Sequence, residues 1–146
     1  INWEAYNHFV SRSKAPGAFD SRANDTGENN LFGTSTTDNN HFTITAALHD
    51  STANQDVYVE NAKIVTMMNP MNYLGSPAAT NARFYRIRYG TADSNTSVAI
   101  PLIVGTRAQN LGYRVDMATP FNVDHSGDYD LEELFNWMDN IVKNGR

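Results

Sequence analysis

One stretch near the end of this chain limits the folds open to it more than any other. Phe84–Tyr89 is β-branched or aromatic at most positions and stops at Gly90, which reads as a strand. Ser97–Asn110 reads as a helix, capped by Asn95 or Ser97 and stopped by Gly112. Pro101 then falls in or just after the first turn, where proline is tolerated. Tyr113–Thr119 reads as a second strand, with Val115 and Met117 alternating against Asp116 and Ala118. Strand, helical crossover and strand make a βαβ unit, and such units build parallel sheets. Parallel sheets are buried on both faces, so two strands of this kind do not stand alone. The expected class is α/β, a parallel sheet with flanking helices that takes further strands from somewhere.

The rest of the chain is a poor source of them. Residues 11–55 are rich in Ser, Thr, Asn, Asp and Gly, and Ser35–Asn40 is polar throughout. This reads as loops with short helices near Trp3–Val10 and Phe42–Leu48. A loop-rich segment of that length is uncommon in a compact domain unless it is functional or packs on something else. The texture changes near Asp56. The chain therefore divides into a loop-rich lid or cap segment over residues 1–55 and part of an α/β core over residues 56–146. Val57–Met68 reads as a strand end running into a helix, with Ala62, Val65 and Met68 at helical spacing. In the last helix, Asp130 and Glu133 match a capping box. Leu131, Leu134, Phe135, Met138, Ile141 and Val142 share one face, and Lys143 and Gly145 suit a helix end. This helix is expected to pack on the same sheet.

Composition removes several function classes. With 40% hydrophobic and 18% charged residues among 146, the chain lacks the composition of a disordered one. A net charge of −5 without any run of Lys or Arg speaks against a nucleic-acid partner. The absence of cysteine excludes a disulfide framework and a thiolate zinc site. No apolar run approaches the roughly 20 residues of a membrane span, and no signal peptide is readable. The acidic stretch Asp124–Glu133 fails the calcium-loop pattern. Tyr129 stands where the turn glycine is needed, and Phe135 where the final Glu belongs. Neither a metal nor a cofactor is expected.

In open parallel sheets, ligands bind at the carboxyl ends of the strands. Two segments leave such ends here: Gly90-Thr-Ala-Asp93, and Thr119–Asp128 with His125. An Asp and a His there can form an oriented imidazole pair. The carboxylate holds one ring nitrogen and the other is left as a general base. His41, beside Phe42 in the lid segment, is a candidate substrate contact together with Phe42. Arg86 and Arg88 share a strand face and read as bridges to acidic partners. Trp3, Tyr6 and Phe9 read as packing or as the wall of an aromatic pocket.

Together, Tyr85-Arg-Ile-Arg-Tyr-Gly-Thr-Ala-Asp93, Ile100-Pro101, Leu111-Gly-Tyr113 and His125-Ser-Gly-Asp-Tyr-Asp130 resemble the end of a serine α/β-hydrolase. The chain is similar to bacterial tannase-like esterases, which are related to feruloyl esterases and carboxylesterases. Glu28-Asn-Asn-Leu-Phe-Gly33 and Asn69-Pro-Met-Asn-Tyr-Leu74 extend the likeness over most of residues 19–142. The resemblance implies the C-terminal portion of the fold, with Asp93 as catalytic acid and His125 as base. It implies a small-molecule ester of an aromatic acid, galloyl or hydroxycinnamoyl, as substrate. Such hydrolases carry their serine upstream in Gly-x-Ser-x-Gly, and no such motif occurs here; Gly33-Thr-Ser35 lacks the second glycine. With Ile1 in first place, the expectation is a piece of a longer precursor, associated with an N-terminal hydrolase chain that carries the serine. The interface should exceed roughly 2,000 Å². A secreted or periplasmic location is expected. The competing readings are a prolyl-oligopeptidase-like serine peptidase and a non-catalytic hydrolase-like binding protein.

Overall fold

The computed structural model describes residues 2–10, 19–52, 62–125 and 129–145. Helices α1 (Trp3–Phe9), α2 (Gly27–Leu31), α3 (Ile44–Leu48) and α4 (Ala62–Met68) precede a 3₁₀ turn at Pro70–Asn72. Then come β1 (Phe84–Arg88), α5 (Ala99–Asn110), β2 (Arg114–Ala118) and α6 (Leu131–Asn144). Strands β1 and β2 pair in parallel, from Phe84 opposite Arg114 to Arg88 opposite Ala118. The βαβ unit is therefore the one expected, and among the described residues the sheet has these two strands.

Helix α5 lies against the sheet through small residues, with Pro101, Gly105 and Ala108 buried at helical spacing. A Cβ on Gly105 would stand 2.8 Å from the Met117 sulfur, so glycine lets helix and sheet approach without displacing that side chain. The N-terminus departs from expectation. Val98 is the N-cap and gives no side-chain hydrogen bond, while the Ser97 hydroxyl accepts the Ala99 N–H at 3.3 Å. The C-terminus closes as a Schellman motif: Tyr113 N–H bonds to Ala108 O and Gly112 N–H to Gln109 O, at 3.1 and 2.9 Å.

The far side of this unit is open. Leu102 and Ile103 on α5 are exposed, as are Leu131, Phe135 (60%), Met138 and Val142 (84%) on α6. Among the described residues the buried hydrophobic ones are Ala46, Leu74, Tyr89 and Ala108. Helix α6 has the amphipathic pattern read from the sequence, and Gly145 ends it at φ 58°. It does not lie along the sheet as expected. The tie that the structure shows is ionic, from Arg86 and Arg88 on β1 to Asp130 and Glu133 at its first turn. The expected capping box fails for the same reason. Asp130 is the N-cap but makes no capping bond, because the guanidinium groups take its carboxylate. Trp3, Tyr6 and Phe9 on α1 are also exposed; Trp3 and Tyr6 meet edge to face at 5.8 Å.

The polar segment is ordered by hydrogen bonds instead of apolar packing. His41 is fully buried, with Nδ1 2.5 Å from Asp20 Oδ1 and Nε2 2.6 Å from Asp50 Oδ2. Asp20 also accepts the N–H groups of Phe42 and Thr43 and the Asn29 amide. Asn29 closes a capping box with Thr26 at the start of α2, and Phe32 stacks on Phe42 at 4.5 Å. Burial alone would push His41 down, but its bonds to the two carboxylates hold it above the ordinary histidine range. The helix expected within Phe42–Leu48 is α3, capped by Thr43. That expected over Val57–Met68 is α4; the strand end at Val57 and the boundary near residue 56 lie outside the described residues.

Candidate active site

The two loops leaving β1 and β2 are joined backbone to backbone. Tyr89 N–H bonds to Ala118 O at 3.2 Å, Thr91 N–H to Pro120 O and Ala92 N–H to Val123 O, both at 3.0 Å. The Thr91 hydroxyl accepts the Asn122 N–H at 2.8 Å. This contact is so close that a Cβ on Gly90 would stand 2.1 Å from the Val123 carbonyl oxygen. Glycine is thus the residue that lets the loop of Asp93 lie on the loop of His125.

Asp93 is buried and held by its own turn. Its Oδ1 accepts the N–H groups of Asn95 and Thr96 at 2.8 and 3.0 Å. The Tyr89 hydroxyl donates to Thr96 O at 2.9 Å, pinning that turn from the strand side. Oδ2 is left facing His125, whose Nδ1 lies 2.9 Å away. Burial would raise the Asp93 carboxyl, but the hydrogen bond from His125 and those from Thr96 and Asn95 outweigh it and hold the group below the usual carboxylate range. An ionised Asp93 can accept a hydrogen bond from Nδ1–H of His125, the tautomer in which Nε2 carries the free lone pair. The His125 side chain is 53% exposed, and the backbone N–H of His125 donates to Asp124 Oδ1 at 2.7 Å.

The pair borders an open cleft of about 560 Å³ that Thr96, Ile100, Pro101 and Tyr129 also line. Arg86, Arg88 and Asp130 form one side of it. Among the described residues, no group of three or more His, Asp or Glu side chains is placed to hold a metal ion, and no helix is long and apolar enough to cross a membrane.

No protein-family model matches the chain, and neither does any curated protein. Solved structures do. The native tannin acyl hydrolase of Lactobacillus plantarum matches 97% of the chain with 39% identity and a TM-score of 0.81. The Fusobacterium nucleatum tannase matches the same share with 43% identity and a TM-score of 0.77. The chain is similar to part of a tannase-like α/β-hydrolase structure. It spans about 30% of the length of either enzyme. A tannin acyl hydrolase in complex with ethyl gallate matches with 40% identity and a TM-score of 0.79, over 30% of its length. The resemblance read from the motifs is thus shown by structure.

Within this tannase-like chain, Asp93 and His125 are brought together, whereas His41 and Phe42 stand in the polar segment, in contact with Asp20, Asp50 and Phe32. Both ring nitrogens of His41 are occupied there, so a substrate contact through either would require a carboxylate to leave. Arg86 and Arg88 do bridge acidic partners: both guanidinium groups contact Asp116 and Asp130. Sequence reasoning missed Asp20 and Asp50 as partners of His41. They lie 21 and 9 residues away, and no local pattern links them.

Proposed function

We propose that this chain supplies the acid and the base of a serine carboxylesterase acting on aromatic acid esters of the galloyl type. The observation that carries the proposal is the 2.9 Å contact between Asp93 Oδ2 and His125 Nδ1 at the carboxyl ends of two parallel strands. The likeness to tannin acyl hydrolases, one of them bound to ethyl gallate, supports the substrate class.

In the proposed reaction a serine hydroxyl attacks the ester carbonyl while His125 Nε2 takes its proton. Asp93 stabilises the imidazolium and keeps the ring in the productive tautomer. The imidazolium then gives its proton to the departing alcohol, leaving an acyl-enzyme. Water repeats the sequence and releases the acid, so the serine and both histidine nitrogens return to their first state.

The serine is proposed to come from outside these residues, since no Gly-x-Ser-x-Gly occurs among them. The exposed apolar side chains of α5 and α6 support a large covering partner. The exposed apolar faces of α5 and α6 are where a completed parallel sheet and its helices would bury them. Residues 1–55 are assigned to a lid or cap, because their described part is held by its own polar network and adds no strand.

Hydrolysis of a galloyl ester by the protein containing these residues tests the reading. Activity is expected to fall by orders of magnitude in His125→Ala. A wild-type protein inert on galloyl and hydroxycinnamoyl esters would overturn it.

A further inference from the structure

Asp130 occupies the N-cap of α6 without capping it. Its Oδ2 instead accepts Arg86 Nη2 at 2.7 Å and Arg88 Nε at 3.0 Å. The same two guanidinium groups grip Asp116 Oδ2 on β2, Arg88 at 3.0 Å. Arg88 Nη1 also donates to the backbone oxygens of Ile87 and Asp116, each at 3.0 Å. Two largely buried arginines on one strand face thus join β1, β2 and the start of α6 through charge-assisted bonds, which are stronger and more directional than neutral ones. Glu133 adds a longer contact to Arg86, 3.3 Å, at the exposed rim.

This clamp sits five residues beyond His125. The segment before His125 is already fixed, by the bonds from Thr91 and Ala92 to Pro120 and Val123. Asp130 fixes the chain on the other side. Five residues span at most roughly 17 Å, so a held Asp130 restricts where His125 can travel. Both the clamp and the His125–Asp93 pair border the same cleft.

We propose that Asp130, held by Arg86 and Arg88, is a positioning residue that keeps His125 on Asp93. Its proposed role lies in where the base is held and not in contact with the reacting atoms. The inference rests on the esterase reading for its kinetic consequence, but its geometric content stands apart from that reading. A displacement of about 1 Å in a catalytic group can cost about 100-fold in rate.

The test uses the complete protein that contains this chain and compares Asp130→Asn and Asp130→Glu with Asp139→Asn as a control. Asp139 pairs with Lys143 on the exposed side of α6. Asp130→Asn keeps the shape and loses the charge. It is expected to lower kcat on a galloyl ester about tenfold or more with KM within about twofold, and Asp130→Glu to restore part of the loss. Asp139→Asn should behave as wild type. Proton NMR supplies a readout that does not depend on turnover. The Nδ1–H resonance of His125 donating to Asp93, assigned by its absence in His125→Gln, should broaden or disappear in Asp130→Asn at a temperature where the thermal melt shows that variant fully folded. If the wild type lacks esterase activity but the resonance behaves in this way, the function reading fails and the positioning role stands. An unchanged kcat with an unchanged resonance would overturn it. So would a loss of rate that follows loss of folded protein alone.

Discussion

Replacing Gly90 by alanine offers a severe test of how the two loops hold the candidate site. The new methyl group would lie 2.1 Å from the Val123 carbonyl oxygen, 2.6 Å from its carbon and 2.9 Å from the Asp124 carbonyl oxygen. All three are backbone atoms of the loop that carries His125, so no side-chain rotation relieves them. Restoring ordinary contact near 3.4 Å requires the loops to part by about 1.3 Å, the kind of forced backbone shift that costs about 1–3 kcal/mol in a packed protein. The Ala92–Val123 and Thr91–Pro120 bonds, 3.0 Å each, would stretch beyond hydrogen-bond range. The 2.9 Å link between His125 and Asp93 would open with them. The expected result is a fall in kcat on an aromatic ester of about 100-fold, with a lowered melting temperature and a smaller change in KM. Steady-state kinetics and a thermal melt on the same preparation measure both. A Gly90→Ala protein with wild-type kcat and an unchanged melt would refute the account of how these loops are joined.

Other perturbations separate the chemistry from the scaffold. His125→Ala should reduce kcat by about 10⁴ or more. His41→Ala should spare most of the chemistry but lower the melting temperature, since it removes the ring that bridges Asp20 and Asp50; comparable kcat losses at both histidines would contradict this division. The pH dependence of stability follows from the same cluster. His41 is raised above its ordinary value by Asp20 and Asp50, so its contribution is present below about pH 6.5 and is lost as pH rises through the raised value. For Asp20, burial raises the carboxyl, but the bonds from His41, Asn29 and Thr43 outweigh it and lower it; Asp50 is lowered by Thr52 and His41. Their contribution is present above about pH 3.9 and is lost as pH falls through the lowered values. Thermal melts across pH should therefore lose part of their His41-dependent stability on the alkaline side, and His41→Gln should abolish that part. Residues 1–146 produced alone should show no esterase activity and no sharp cooperative melt, because the exposed faces of α5 and α6 would have no cover; a soluble, cooperatively folding, active monomer would contradict this.

The βαβ unit was legible in the sequence because it rests on short-range pattern, and Asp93 and His125 were singled out by their places after its two strands together with the resemblance of the surrounding motifs. Phe84–Arg88 and Arg114–Ala118 have strand composition, Gly112 marks the end of α5, and the loops after the two strands necessarily open on one edge. The acid–base geometry then needs only that neighbouring loops meet. What escaped the sequence depends on competition between distant groups. Asp130 has the residue type and spacing of a helix cap, yet the guanidinium groups of Arg86 and Arg88, more than 40 positions earlier, outbid the backbone N–H groups for its carboxylate. The ordering of the polar segment around His41 was hidden likewise, since its carboxylate partners lie in separate loops. The packing of α6 on the sheet was expected from its apolar face, but Leu131, Phe135, Met138 and Val142 of that face stay exposed among the described residues.

The central claim is that Asp93 and His125 serve a serine lying outside these residues. Treating the complete protein with a fluorophosphonate and locating the modified peptide by mass spectrometry tests it most directly. The account predicts one labelled serine, in a Gly-x-Ser-x-Gly sequence outside residues 1–146, with labelling slowed by orders of magnitude in His125→Ala and also slowed in Asp93→Asn. Label on a serine within these residues, or labelling at the wild-type rate without His125, would contradict it.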